Sequence, residues 1–139
     1  MWTKTYSIVT KEVTKEQMWK LFADVNNWHK WDTEIEYAKI NGKFEKGNTF
    51  ELKPKGGPKV KIELVETIEN QKFIDLTRFP LAKMFGEHTF EETPDGLKIT
   101  ATMTVKGVLS FLWVKLVAKN IAEGMPTEIP TQIKFASKL

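Results

Sequence analysis

The chain contains no cysteine, a single arginine (Arg78) and two histidines (His29 and His88) among its 139 residues. Lack of cysteine excludes thiol nucleophiles, disulfide staples, redox switching and Cys-ligated metal centres. It also points to a reducing, cytoplasmic setting. His29 and His88 are far apart in the chain, and neither has a second histidine at helical spacing. Glu87-His88 alone is not a zinc pattern, so no metal and no cofactor is expected. A lone Arg78 argues against nucleic acid, because base-edge and phosphate readers use the planar, bidentate guanidinium. The net charge of +3 does not change that reading. Residues 1–70 hold 12 basic and 11 acidic side chains and residues 71–139 hold 9 and 7, so the excess is spread along the chain. Ser7, Ser110 and Ser137 lack a G-x-S-x-G context, and no G-x-G-x-x-G or phosphate loop occurs. Met1 to Thr10 has neither the apolar stretch nor the small-residue site of a secretory signal, which predicts a protein that is not exported. The longest apolar run, Val108 to Ala118, is interrupted by Ser110 and Lys115 and is too short to span a bilayer, which takes about 20 apolar residues.

What remains is an ordinary globular composition, 41% hydrophobic and 28% charged, with enough length for one full core. One domain over residues 1–139 is expected. Trp2 to Thr10 is β-branched and aromatic and predicts a strand. Thr14 and Gln17 make a capping box, and Met18, Leu21, Phe22 and Val25 follow at helical spacing. Asp24 to Asn27 ends that helix. The aromatic stretch Asn26 to Asp32 predicts a second short helix or turn, with Trp28 and Trp31 sharing a face and His29 on the surface. Between residues 33 and 107 the period changes to alternation, broken at Asn41-Gly42, Lys46-Gly47-Asn48, Lys55-Gly56-Gly57-Pro58, Glu69-Asn70-Gln71, Phe79-Pro80 and Pro94-Asp95-Gly96. About six antiparallel strands are implied, each with one wet face. Helical periodicity returns after Gly107 and runs to the end, with Gly124, Pro126 and Pro130 expected to bend or break it.

This order predicts an α+β fold in which an antiparallel sheet packs its inner face on one C-terminal helix. A helix about 10–12 Å across does not plug a curled seven-stranded trough, so an apolar hollow with a few polar groups is expected. The element order, Asp24 to Asp32, Asn41 to Gly47, Phe73 to Pro80, and His88 ahead of a final strand ending at Gly107 resemble the polyketide cyclase/dehydrase and lipid-transport superfamily. This is the START-like, helix-grip group also called SRPBCC, and the resemblance spans essentially the whole chain. It implies a seven-stranded sheet gripping the C-terminal helix around a hydrophobic cavity. The fold hosts lipid carriers, hormone binders, cyclases, dehydrases and chaperone cofactors, so it does not select a function. Gly56-Gly57-Pro58 departs from the glycine loop of the pollen-allergen branch, being shorter and in another hairpin.

Within that frame His88 is the leading candidate. Alternation puts it on one face with Met84, Gly86 and Phe90, where an imidazole would be held neutral. It is then a buried histidine bonded to backbone, a ligand contact or a proton-transfer group. Asp75, Thr77 and Phe79 share a face with Phe73, and Ile74, Leu76 and Arg78 share the other. The pattern does not say which is inner. If the first is, Asp75 and Thr77 can bond a ligand or orient His88. Trp28 and Trp31 either cover a pocket mouth or staple the short helix to the sheet. Met103 on the last strand and Leu112, Trp113 and Leu116 on the helix complete the expected lining, with Phe111 and Val117 read as core. Any part of this helical stripe left exposed suits transient contact with a membrane surface or an apolar partner. The expected function is binding of a lipid, isoprenoid or polyketide-like molecule. The alternatives are a cyclase or dehydratase using His88, assisted by Asp75 or Thr77, and a partner-binding module of the chaperone-cofactor type.

Overall fold

Seven strands lie in one antiparallel sheet in the order β1-β7-β6-β5-β4-β3-β2, so every consecutive pair from β2 to β7 is a hairpin neighbour and only β1 crosses over to close on β7. The computed structural model describes residues 1–139. The strands are β1 (Trp2–Thr10), β2 (Ile35–Ile40), β3 (Thr49–Pro54), β4 (Val60–Ile68), β5 (Lys72–Phe79), β6 (Ala82–Thr93) and β7 (Gly96–Lys106). Between β1 and β2 come α1 (Lys15–Ala23) and a 3-10 helix (Val25–Lys30). The C-terminal helix consists of α2 (Ser110–Trp113), a π-helical turn (Val114–Ala118) and α3 (Lys119–Ala136). This is the helix-grip architecture, with the two short helices in the expected place.

The local signals work as chemistry predicts. Thr14 Oγ1 accepts from the Gln17 amide at 3.1 Å while Gln17 Oε1 accepts from the Thr14 amide at 2.9 Å, which closes the box at the start of α1. Met18, Trp19, Leu21 and Phe22 are then buried on one face. Alternation in β7 buries Leu97, Ile99, Ala101, Met103 and Val105 and turns Thr100, Thr102 and Thr104 to the outer face, where they meet Ser7, Thr5 and Thr3 of β1 in a ladder of hydroxyl contacts at 3.0 to 3.5 Å.

The C-terminal helix corrects one expectation. Its course runs unbroken through Gly124, Pro126 and Pro130, and the irregularity lies upstream at Val114–Ala118. Each proline removes one amide donor and presses on the carbonyl four residues back. Both rings face solvent, where water can take the freed carbonyls, while Ala122, Met125, Ile129, Ile133 and Ala136 stay buried against the body. Packing of the inner face therefore overrides the two breakers.

Candidate functional site

Register fixes what faces the helix. Phe73, Asp75, Thr77 and Phe79 of β5 pair with His88, Gly86, Met84 and Ala82 of β6, and the first three of these pair in turn with Ala101, Met103 and Val105 of β7. Because Phe73, Thr77, Met84, Phe90, Met103 and Val105 are buried, the Asp75 face of β5 is the inner one. The face that alternation left open is thereby assigned, and Asp75 and His88 lie on it together.

Two aromatic groups bracket this stretch. At one end Phe22 of α1 sits over the sheet, with its ring centroid 5.0 Å from Phe73, 5.2 Å from His88 and 6.0 Å from Phe90, while Phe73 stacks on the His88 imidazole at 4.5 Å. Trp19 and Phe44 close over Phe73 from the side. At the other end Trp113 stacks on Phe79 at 4.5 Å and donates its indole N–H to the Pro80 carbonyl at 2.9 Å. Asp75 and Thr77 lie between the two.

Trp28 and Trp31 belong to the solid end. Both are buried; Trp28 donates to the Phe22 carbonyl at 2.9 Å and packs on Phe50, and the two indoles touch at 5.7 Å. They staple the 3-10 helix to the sheet and do not cover a mouth. The trough is thus filled by aromatic rings beneath α1, and the packing loosens toward the start of the C-terminal helix. There Leu112, Trp113, Val114 and Val117 are only half-buried. Leu116 is 56% exposed and Phe111 70% exposed, so neither lines the interior. Val114, Ala118, Ala122 and Met125 continue one helical face toward the sheet, and that spacing turns Leu116 to the opposite side.

Asp75 and His88 are the unusual pair. His88 Nε2 lies 3.9 Å from Asp75 Oδ2, and the imidazole makes no hydrogen bond to any protein group. No side-chain polar atom in the protein is both sealed and unpartnered. The imidazole nitrogens therefore open onto free space, and the side chains of His88 and Asp75 keep 25% and 20% of their surface accessible inside the fold. This removes the reading of His88 as a histidine tied to backbone. Burial pushes Asp75 up to about 7, partly offset by the Gly86 backbone amide, and pushes His88 down to about 4. Between these values the carboxyl keeps its proton while the imidazole is neutral, the ordering an acid–base couple needs.

Gly86 makes room for this arrangement, a role that only the register reveals. A Cβ there would sit 2.8 Å from Asp75 Oδ1 and 3.0 Å from Oδ2. Gly86→Ala is expected to rotate the carboxyl off its seat without unfolding the sheet, because the clash is with a side-chain end. The check is the carboxyl titration of Asp75 by NMR, which should move toward the ordinary range as water reaches the displaced group. An unchanged midpoint would show that Gly86 does not hold it.

No group of His, Cys, Asp and Glu large enough to hold a metal ion is assembled. No helix is long and apolar enough to cross a membrane.

Comparison with known proteins agrees with this architecture. Among solved structures, a START superfamily protein from Mycobacterium smegmatis superimposes with a TM-score of 0.67 at 15% identity, covering 96% of each chain. The di-domain ARO/CYC StfQ from the steffimycin biosynthetic pathway gives 0.70 at 12% identity, with 98% of this chain on 50% of that one. Hypothetical protein jhp0584 from Helicobacter pylori gives 0.76 at 11% identity, covering 97% of this chain and 88% of that one. At such identities the likeness is one of fold. A comparison with curated proteins returns no match. The family model described as polyketide cyclase / dehydrase and lipid transport matches residues 1–128, which is the whole sheet and most of the C-terminal helix, and the chain belongs to that family.

Proposed function

We propose that the chain binds a small apolar molecule between the inner face of β4–β7 and the first turns of the C-terminal helix, with Asp75 and His88 at its polar end. The observation that carries this reading is the imidazole that hydrogen-bonds no protein group, set with Asp75 in an otherwise apolar surface of Ile62, Leu64, Met84 and Met103. Family membership and fold support hydrophobic ligand binding or cyclase-like chemistry in general terms. Burial of ligand hydrocarbon at roughly 25 cal/mol per Å² supplies the affinity, and the polar pair sets orientation.

The site also selects a ligand charge. Across the inner face of all seven strands the one cation is Lys4 on the edge strand β1, opposite Met103 and two strands beyond the Asp75–Gly86 pair. A carboxylate or phosphate placed beside Asp75 would meet no counter-charge, whereas a hydroxyl or ketone oxygen can pair with the carboxyl or the imidazole. Decanol is therefore expected to bind at least about tenfold more tightly than decanoate at pH 8, measured by calorimetry, since leaving a buried charge unpaired costs more than the about 1.4 kcal/mol that tenfold represents. Equal affinities, or preference for decanoate, would contradict the assignment.

A second reading is favoured by the same two residues. With the imidazole unprotonated and the carboxyl protonated, His88 can take a proton from a carbon beside a ketone while Asp75 gives one to the oxygen, converting keto to enol with protons balanced. Cyclisation or dehydration of a polyketone would follow from such an enol. Native mass spectrometry of freshly purified protein tests both readings. A retained neutral guest of defined mass is expected, and it should be lost on Asp75→Leu. A bare chain that also fails to take up decanol would overturn them.

A further inference from the structure

At the end of the molecule where β5 turns into β6, apolar side chains stand in solvent. Leu81 is 65% exposed, Val108 79% and Phe111 70%. They form one platform: the Leu109 amide donates to the Leu81 carbonyl at 3.1 Å, and Trp113 is bonded to the neighbouring Pro80 carbonyl. Gly107 lets the two segments meet, since its φ of +121° and a Cβ only 2.5 Å from the Leu81 oxygen exclude any side chain. Leu81 itself sits at φ +58°, where asparagine or glycine is the normal occupant of a turn. A strained leucine displayed in water at a hairpin tip is costly for folding and useful for contact.

Charge supplies the second half of the pattern. Arg78, Lys83 and Lys106 are direct cross-strand partners on β5, β6 and β7, three like charges in a row on the outer face. Opposed like charges weaken a sheet. Arg78 alone is offset, by Glu63 at 3.4 Å, while Lys106 rests over the Phe85 ring at 5.5 Å. The three cations and Leu81 line a groove of about 320 Å³. Lys115 and Lys119 add two more exposed cations on the adjoining helix, and no acidic residue occurs from Leu76 to Gly86 or from Gly96 to Ala122.

We propose that this end docks on an anionic phospholipid bilayer, with Leu81, Val108 and Phe111 entering the acyl boundary and Arg78, Lys83, Lys106 and Lys115 meeting the headgroup phosphates. A bilayer offers both an apolar layer and a negative layer a few ångströms apart, which a nucleic acid does not. The inference stands on the surface alone and does not depend on the interior holding a ligand.

Co-flotation with vesicles tests it. Binding is expected to vesicles of phosphatidylcholine mixed with phosphatidylglycerol, to be weak on phosphatidylcholine alone, and to fall as salt is raised. Replacing Lys83 and Lys106 together by alanine should weaken binding roughly 30-fold, as each surface cation near an anionic bilayer contributes about fivefold. Leu81→Asn and Phe111→Ser should each weaken it several-fold, and Leu81→Asn should fold at least as well as the wild type because asparagine accepts the turn conformation. Absence of binding to the anionic vesicles overturns the proposal. Binding that ignores both the lysine and the apolar substitutions does so too, as does self-association through Phe111 without lipid binding.

Discussion

Phe22→Ala should cost about 3–5 kcal/mol of unfolding free energy, the range for truncating a fully packed aromatic side chain. Phe22 is 3% exposed and its ring meets Trp28, Trp31, Phe73, His88 and Phe90. Removing it deletes the apolar transfer of the ring together with edge, tilted and stacked contacts to five neighbours, each worth about 0.5–1.5 kcal/mol beyond area. Little can collapse into the gap, because Phe73 is held by Trp19 and Phe44 and the two tryptophans are held by the 3-10 helix. For a domain whose total stability is about 5–15 kcal/mol, this one change takes a large share. Phe111→Ala is the matched control, since its exposed ring predicts a change within about 0.5 kcal/mol. Urea unfolding of the two variants beside the wild type decides the matter. Equal effects would mean that the aromatic cluster beneath α1 is not the packing centre described.

Asp75→Asn should raise stability by an amount that grows as pH rises from 3.8 and is complete a little above 7. The folded carboxyl titrates near 7 against 3.8 for the free group, so the folded state binds the proton more tightly. That stability is fully present below pH 3.8 and is lost as pH rises through 7, where the buried carboxylate must carry its charge. Asparagine keeps the shape and never ionises. The variant should match the wild type near pH 4 and exceed it at pH 8 by an amount on the order of 2–4 kcal/mol, at 1.36 kcal/mol per pKa unit. His88 has the opposite sign. Its folded value near 4 lies below the free value of 6.5, so its contribution is present above pH 6.5 and lost as pH falls through 4. His88→Asn should accordingly resist acid better than the wild type. The two slopes oppose each other between pH 4 and 6.5, which predicts a flat stability profile there and a small decline from 6.5 through about 7. Thermal unfolding across pH for the three proteins reads this directly, and a wild type that gains stability from pH 6 to 8 would contradict it.

How much of this was legible in the residues follows from which signals are local. The capping box at Thr14 and Gln17, the strand alternation of β7 and the turn residues are written in neighbouring positions, and the elements form where those positions place them. Membership of His88, Met84 and Phe90 in one inner face was equally readable, because period two fixes it within a strand. Asp75 was not, since Phe73, Asp75, Thr77 and Phe79 alternate with Ile74, Leu76 and Arg78, and both sets are largely apolar. Only pairing with β6 decides between them. Trp19 carried a usable signal, three residues before Phe22 on the buried side of α1, whereas the packing of Phe44 depends on a loop whose path no pattern encodes. Leu116 was misplaced because Val108 to Ala118 is apolar almost all round, so the stretch carries no polar stripe to mark its outer side. The row of Arg78, Lys83 and Lys106 was not legible either, because only the β5–β6–β7 register sets those three side by side.

The most direct test of the central claim is to locate a bound neutral amphiphile. Decanol titrated into isotope-labelled protein should shift the backbone amides of Asp75, Thr77, Gly86 and Met103 and the ring resonances of His88, saturating at one equivalent, while the amides of Leu81 and Phe111 stay still. Shifts confined to Leu81, Val108 and Phe111, or no saturable shift anywhere, would show that the space beside Asp75 and His88 admits no guest.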